Sequence, residues 1–404
     1  VPGDYHGWSF AGISPLVQAH DQLLYEGKEP PKIGLFYDTS ILRSNRFNSD
    51  GSDYHVDLTT PFGRQWFYTA IRDFFSMVPP SKWARINGKP IVFLYSASYA
   101  KAQDPKQLDF VREQFGKDFG IEPFIVKHRD WIGESDAIYQ WGGAIGLQMD
   151  KHVAALGPGY DHSAVPGRQP LIVERKGGQT YCGSWGRLLA INPKRRPWLV
   201  HIETWNEWHE GTDIADSREY GRLYIDLTGK YVNLFKQGAH LPVQGAYTDA
   251  KEVSWSLKKE NGITLRENIG DGLWEIRKVN NKDAVVTRSN ELIRGCYSYF
   301  FVEDSFIFDG DVATEITVNY LDAGCDLFQV QYDNADVSNG PVQGAFRSSE
   351  TVKLSGSGQW KTATIKLPHC RFVNRANSAD FRIAPLGGKY ELAIHEIVLR
   401  RIKQ

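Results

Sequence analysis

The sequence predicts a (β/α)8 TIM-type barrel over residues 1–240, followed by an antiparallel β-sandwich over 241–404. Three observations carry this. Short apolar runs alternate with helix-start signals through the first part of the chain. Near Gly238 the texture changes to short strands of alternating polarity, separated by Gly, Asn and Asp turns. Among the 404 residues, 41% are apolar and 24% charged, which suits two packed cores rather than a disordered chain.

Taken in order, Pro31–Tyr37 reads as the first buried strand, then Pro90–Tyr95 and Pro123–Lys127. Ala137–Trp141 and His152–Leu156 are weaker runs of the same kind, and Trp198–Thr204 is the sixth. Helices are announced by a polar cap followed by Pro at Ser14-Pro15, Thr60-Pro61 and Asp104-Pro105. The third of these places Leu108, Val111 and Phe115 on one face. Between Tyr220 and Gln237, Leu223, Leu227, Tyr231 and Leu234 fall at helical spacing, as the closing helix of a barrel requires. Alternation of this kind implies parallel strands. Six strands are two short of a barrel, and Val1–Trp8 reads as a loop following a strand. Two further strands, on the order of 60 residues, are therefore expected upstream of Val1.

Ala239–Gly245 reads as a linker. Beyond it, Tyr297–Val302, Ala313–Tyr320, Leu327–Tyr332 and Lys361–Leu367 are strands of a sandwich resembling those of carbohydrate-binding accessory domains. Asp333-Asn334-Ala335-Asp336-Val337-Ser338-Asn339-Gly340 has the oxygen density of a structural calcium loop without its terminal Glu, and reads better as a turn. No cofactor or catalytic metal is expected.

A net charge of −1 gives no footprint for nucleic acid or an anionic membrane. No apolar run reaches the length of a membrane-spanning helix. Cys182, Cys296, Cys325 and Cys370 lie far apart, without metal-ligand spacing; buried thiols or a single disulfide in the C-terminal part are both open. Aromatic residues reach 13%, with 12 Trp, which fits ring-stacking on sugars as well as β-rich cores.

The residues just past parallel strands converge on one face. Here they are Tyr37 and Asp38, Tyr95, His128 and Trp131, Trp141, and Tyr160 and Asp161. Such groups suit a sugar pocket, with planar faces for rings and polar forks for hydroxyls. The strongest segment is Trp205-Asn206-Glu207-Trp208-His209-Glu210-Gly211-Thr212, directly after the sixth strand. Its two acids, three apart between indoles, are what glycosidic cleavage needs: one carboxyl to protonate the departing oxygen, another to act at the anomeric side. Glu203 shares strand parity with Trp205 and Glu207 and is expected inside the barrel near the acids. Asn206 is expected to hold a hydroxyl or a carboxylate, and His209 to point off the other side of the turn.

This segment resembles the signature of glycoside hydrolase family 99 and its relatives, including family 71. The resemblance is sharp from Pro158 to about Gly221. It implies that Glu207 acts on the substrate 2-hydroxyl and Glu210 serves as general acid and base. It also implies that Tyr160, Asp161, Arg175, Tyr181, Trp205, Asn206 and Trp208 line the cleft, and it suggests an α-mannoside-like substrate. After Gly211-Thr212 the family usually reads Gln-Ile-Glu-Pro, whereas this chain has Asp213-Ile214-Ala215-Asp216.

The expectation is therefore a metal-free glycosidase acting on a polysaccharide or glycan, exported to the cell surface, periplasm or medium. Two alternatives stand beside it: an inactive sugar-binding or scaffold barrel, and a barrel serving polysaccharide biosynthesis.

Overall fold

The structure is a computed structural model that describes residues 11–44, 51–169, 171–267, 271–289, 296–338 and 341–402. The expected opening loop, Val1–Trp8, lies outside these. The chain divides into two compact units, Val1–Leu188 with Arg196–Asn233, and Leu189–Arg195 with Leu234–Gln404. The short excursion 189–195 joins the second unit because the Asn192 amide and the Arg195 guanidinium both donate to the buried Asp309 carboxylate.

The first unit is mixed α/β with parallel strands. In order it contains α1 (Ile13–Tyr25), β1 (Leu35–Tyr37), α2 (Pro61–Met77), β2 (Lys89–Leu94) and α3 (Gln107–Phe119). There follow β3 (Phe124–His128), β4 (Ala137–Tyr139), β5 (Val153–Leu156), α4 (Gln179–Ala190), β6 (Leu199–Ile202) and α5 (Leu223–Lys236). Thr60 caps α2 as its sequence implies, its hydroxyl accepting the Gly63 amide at 3.0 Å with Pro61 in the first turn. Ser14 does not cap α1: the helix begins at Ile13 behind Gly12 with no side-chain cap, and Pro15 sits inside the first turn, where no N–H is needed. Asp104 accepts the Lys106 amide, and α3 starts only at Gln107.

Strands β1, β2, β3 and β4 pair in that order, all parallel. Strand β6 pairs parallel with β5, which also carries the short antiparallel Gln148–Met149. Strand alternation sends one set of side chains to each face. On β1, Tyr37 points to the helices and packs on Phe67 of α2 at 5.1 Å. Phe36 points the other way and stacks on His201 of β6, ring centroids 5.6 Å apart. First and last strands thus meet across their inner faces. The helix-side core holds Trp66, Phe67, Phe75, Leu108, Val111, Phe115 and Ile125.

The second unit is an antiparallel β-sandwich. One sheet centres on Ala393–Arg401, flanked by Val312–Leu321, Glu252–Ser256 and Lys282–Thr287. The other runs through Ser298–Val302, Phe381–Leu386 and Leu327–Tyr332. Their inner faces bury Trp255, Phe300, Ile316, Val318, Phe328, Val330, Ile383 and Ile397. In the Asn/Asp-rich loop, Asp333 is fully buried and spends its oxygens on the Arg375 guanidinium and the Val373 and Arg375 amides. Asp336 caps Ser338. Among the described residues no group of three or more His, Cys, Asp or Glu side chains is placed to hold a metal ion. All four cysteines are free thiols, three of them buried. Among the described residues no helix is long and apolar enough to cross a membrane.

Candidate active site

Past β6 the chain makes one tight turn that presents both acids. The Thr204 amide donates to the Thr212 carbonyl at 2.9 Å, and the two threonine hydroxyls meet at 2.8 Å, closing the turn's base. The Glu203–Thr204 peptide is cis. Thr204 also accepts the Glu207 amide, and Trp208–Glu210 forms a single 3-10 turn. Gly211 ends it in the left-handed region at φ 58°, with Asp161 3.2 Å from where a Cβ would sit. The indoles are displayed outward: Trp205 is 60% and Trp208 52% exposed. Asn206 is exposed beside them.

Both acids reach solvent, the Glu207 side chain at 42% and Glu210 at 20% exposure. Each carries a cationic or polar neighbour. His209 turns back on Glu207, Nε2 to Oε1 3.1 Å, contrary to the expectation that it points away. Arg168, from the loop of the Tyr160–Asp161/Ile172–Val173 hairpin, donates to Glu210 Oε1 and, at 3.4 Å, to the Tyr160 hydroxyl. Tyr160 also bonds His162 Nδ1 at 2.9 Å.

Beneath the turn lies an aromatic floor built from inward positions of the strands. Phe36, Phe93, Tyr139 and Trp141 surround His201, with centroids 5.3–5.6 Å from its ring. Burial lowers the His201 pKa to about 4, so the imidazole is neutral. Tyr95 stands over Trp141, centroids 5.1 Å apart. Its hydroxyl is pushed up to about 12 by burial and then by Tyr99 and the charges of Asp38, Glu203 and Glu210, which places these groups in one electrostatic neighbourhood. At the rim, Asp130 accepts from His128 Nδ1, the Ser96 hydroxyl and the Ala97 amide. Burial works against its charge, but these bonds prevail and hold it at about 2.

The structure brings Tyr95, Trp141, Tyr160, Trp205, Asn206, Glu207, Trp208 and Glu210 to this region, with His128 behind it. Other expected substrate contacts are taken up by packing, ion pairs or local hydrogen bonds. Tyr37, at 6% exposure, faces α2 by strand alternation. Trp131 is 3% exposed, packed on Phe67 and bonded through its indole N–H to the Tyr95 carbonyl, so it is core rather than platform. Tyr181 is fully buried and bonds Thr228. Arg175 is buried against Asp213 and under Tyr220 and Tyr224. Asp161 is an exposed cap on Ser163. Asp38 accepts the Ser40 amide, a local turn, although its charge still acts on Tyr95. Glu203 is inside as expected, but only 1% exposed and occupied by backbone amides.

Burial raises the Glu203 pKa from 4.5 to about 7; the amides of Gly143, Ala144 and Gly142 oppose this, and the Glu210 charge adds to it. A carboxyl raised in the folded state binds more protons folded than unfolded between pH 4.5 and 7. Stability therefore falls as pH rises through that window and levels off above it. The full cost is about 3 kcal/mol. Glu203→Gln is expected to remove this slope, read as the difference in denaturant-unfolding free energy between pH 5 and pH 8 for wild type and variant.

Residues 2–248 match the family described as Domain of unknown function (DUF5010). The chain belongs to that family. A search of curated proteins returns no match. Among solved structures, a "Glycoside hydrolase-like protein" is similar at 15% identity and a TM-score of 0.40, over 57% of this chain and 77% of that one. The CBM22-1 xylan-binding domain of Paenibacillus barcinonensis Xyn10C is similar at 14% identity and TM-score 0.25, over 40% and 97%. CsCBM6-3 from Clostridium stercorarium, in complex with cellobiose, is similar at 13% identity and TM-score 0.23, over 37% and 93%.

In this DUF5010 member, sequence reasoning missed Phe36, Phe93, Tyr139, His201 and Arg168. Parity would have found the first four: Phe93 and Tyr95 share a face of one strand, as do His201 and Glu203. Arg168 sits in a loop 42 positions before Glu210, and no local pattern marks it.

Proposed function

We propose that this chain is a glycoside hydrolase cleaving a polysaccharide or glycan by carboxylate acid–base chemistry. The observation that carries the reading is the Trp205–Glu210 turn: two solvent-reachable acids on one turn after a parallel strand, beside two indoles more than half exposed. In this reading Glu210 protonates the leaving oxygen, and Glu207 acts at the 2-hydroxyl or the anomeric carbon. Trp205, Trp208 and Trp141 offer ring faces, and Asn206 and Tyr160 offer hydrogen bonds. The contact between the inner faces of the first and last strands supports a (β/α)8 architecture, with the acids at the C-terminal strand ends where that fold carries chemistry. The resemblance to glycoside hydrolase family 99 adds an α-mannoside-like preference. The sandwich serves as a carbohydrate-binding accessory, and the protein works outside the cytoplasm.

One observation favours a second reading, a sugar binder without turnover. Arg168 occupies Glu210 Oε1 and His209 meets Glu207 Oε1, so one oxygen of each acid is already engaged by a neighbour. Release of reducing ends from a panel of polysaccharides decides between them: binding without release in every case overturns the hydrolase. Trp205→Ala and Trp208→Ala are each expected to weaken sugar affinity roughly 5–30-fold, about 1–2 kcal/mol of covered apolar area, measured by calorimetry.

A further inference from the structure

The two parts of the candidate site come from separate strands of the first unit. Trp141 lies two residues past β4, while Glu207 and Glu210 follow β6. One side chain joins them. Glu203 sends its carboxylate across to the loop after Trp141, where the Gly142 amide donates to both oxygens at 3.2 Å and the Ala144 amide donates to Oε2 at 3.3 Å.

The loop is shaped for this. Gly142 has φ 108°, open to glycine, and a Cβ at Gly143 would sit 2.3 Å from the Leu156 nitrogen. Glycines at both positions let the backbone turn its N–H groups onto the carboxylate while lying flat on β5. Glu203 is 1% exposed and cannot be replaced by water from outside.

We propose that Glu203 is a positioning residue that fixes the Trp141 indole in the aromatic floor, against Tyr95 and His201, by clamping the amides of Gly142 and Ala144. The function given to Trp141 rests on the glycosidase reading; the clamp itself does not. Ionised, the carboxylate accepts these amides with both oxygens, and protonated it loses part of that capacity. The groups facing it are His201 on its own strand at 3.6 Å, neutral through burial, with Tyr139 and Tyr95 across the floor and Glu210 above. Of these, only Glu210 carries a charge that opposes ionisation. Burial sets the Glu203 titration near neutral pH, so the clamp tightens as pH rises through that range.

The test uses the full chain, isotopically labelled, in amide NMR between pH 5 and 9. In wild type the Gly142 and Ala144 amide protons are expected to titrate together near neutrality. In Glu203→Gln they are expected to be flat, with the indole N–H signal of Trp141, assigned through Trp141→Phe, displaced. Wild-type amides that do not titrate, or a variant that leaves the Trp141 signal in place, overturns the clamp. On an oligosaccharide ligand, Glu203→Gln and Trp141→Ala are each expected to weaken binding about 10-fold, and the double variant no more than Trp141→Ala alone; losses that multiply in full also overturn it. If wild type binds no sugar at all, the glycosidase reading fails while the amide and indole signals still decide the clamp.

Discussion

Glu210→Gln is expected to cut turnover by roughly 10²–10⁴-fold while leaving sugar affinity unchanged. The substitution keeps shape and volume, and the amide oxygen still accepts from Arg168, so the turn held by Thr204 and Thr212 is undisturbed. What it removes is a proton for the leaving oxygen, worth about 3–5 kcal/mol of activation barrier at that rate loss. The loss should depend on the leaving group. A substrate that expels a weakly basic phenolate needs no protonation, so its turnover should fall far less in the variant. Equal losses on both substrates would remove Glu210 from the acid role, and near-wild-type activity on the polysaccharide would remove it from the chemistry. The same experiment on Glu207→Gln should show no such leaving-group dependence, because its proposed work is at the sugar rather than at the departing oxygen.

The parallel strands and the acid turn were legible because both depend on local signals. Six apolar runs in the first part correspond to six strands, four paired in parallel in one sheet and two in another, and the turn announces itself by its own composition directly after the last of them. Side-chain direction was harder to read. In Leu35-Phe36-Tyr37 the strand end falls on Tyr37, but one position of parity sends Phe36 inward and Tyr37 to α2. Trp131 sits only three residues past β3, yet the chain folds back there: Lys127 Nζ bonds the Trp131 carbonyl at 2.8 Å and pins the indole into the core. Tyr181 belongs to a helix whose buried side packs on α5, where Thr228 receives its hydroxyl. The pairings of Arg168 and Arg175 were beyond reach for a different reason. Their partners, Glu210 and Asp213, are 42 and 38 positions away, and pairing at that range is set by how the hairpin and the turn meet.

Arg175→Met is expected to cost about 3–5 kcal/mol of stability, since it strands a buried carboxylate. Arg175 donates to Asp213 Oδ1 at 2.7 Å and to the carbonyls of Asp213 and Gly211 at 2.9 Å each. Its guanidinium also lies 4.3 Å and 4.7 Å from the rings of Tyr220 and Tyr224. Both partners of the ion pair are under a tenth exposed, so water does not replace the lost bonds. At roughly 2–4 °C per kcal/mol for a unit of this size, the melting temperature should drop by about 6–20 °C. Removing Asp213 as well should restore part of this, so Arg175→Met with Asp213→Ala is expected to lose less than the sum of the single losses. The consequence reaches the acids, because the oxygens that Arg175 ties down belong to residues 211–213, the descending limb of the turn that carries Glu207 and Glu210. Turnover in Arg175→Met should therefore fall even well below its melting temperature, and unchanged activity there would show that the turn holds its shape without the pair.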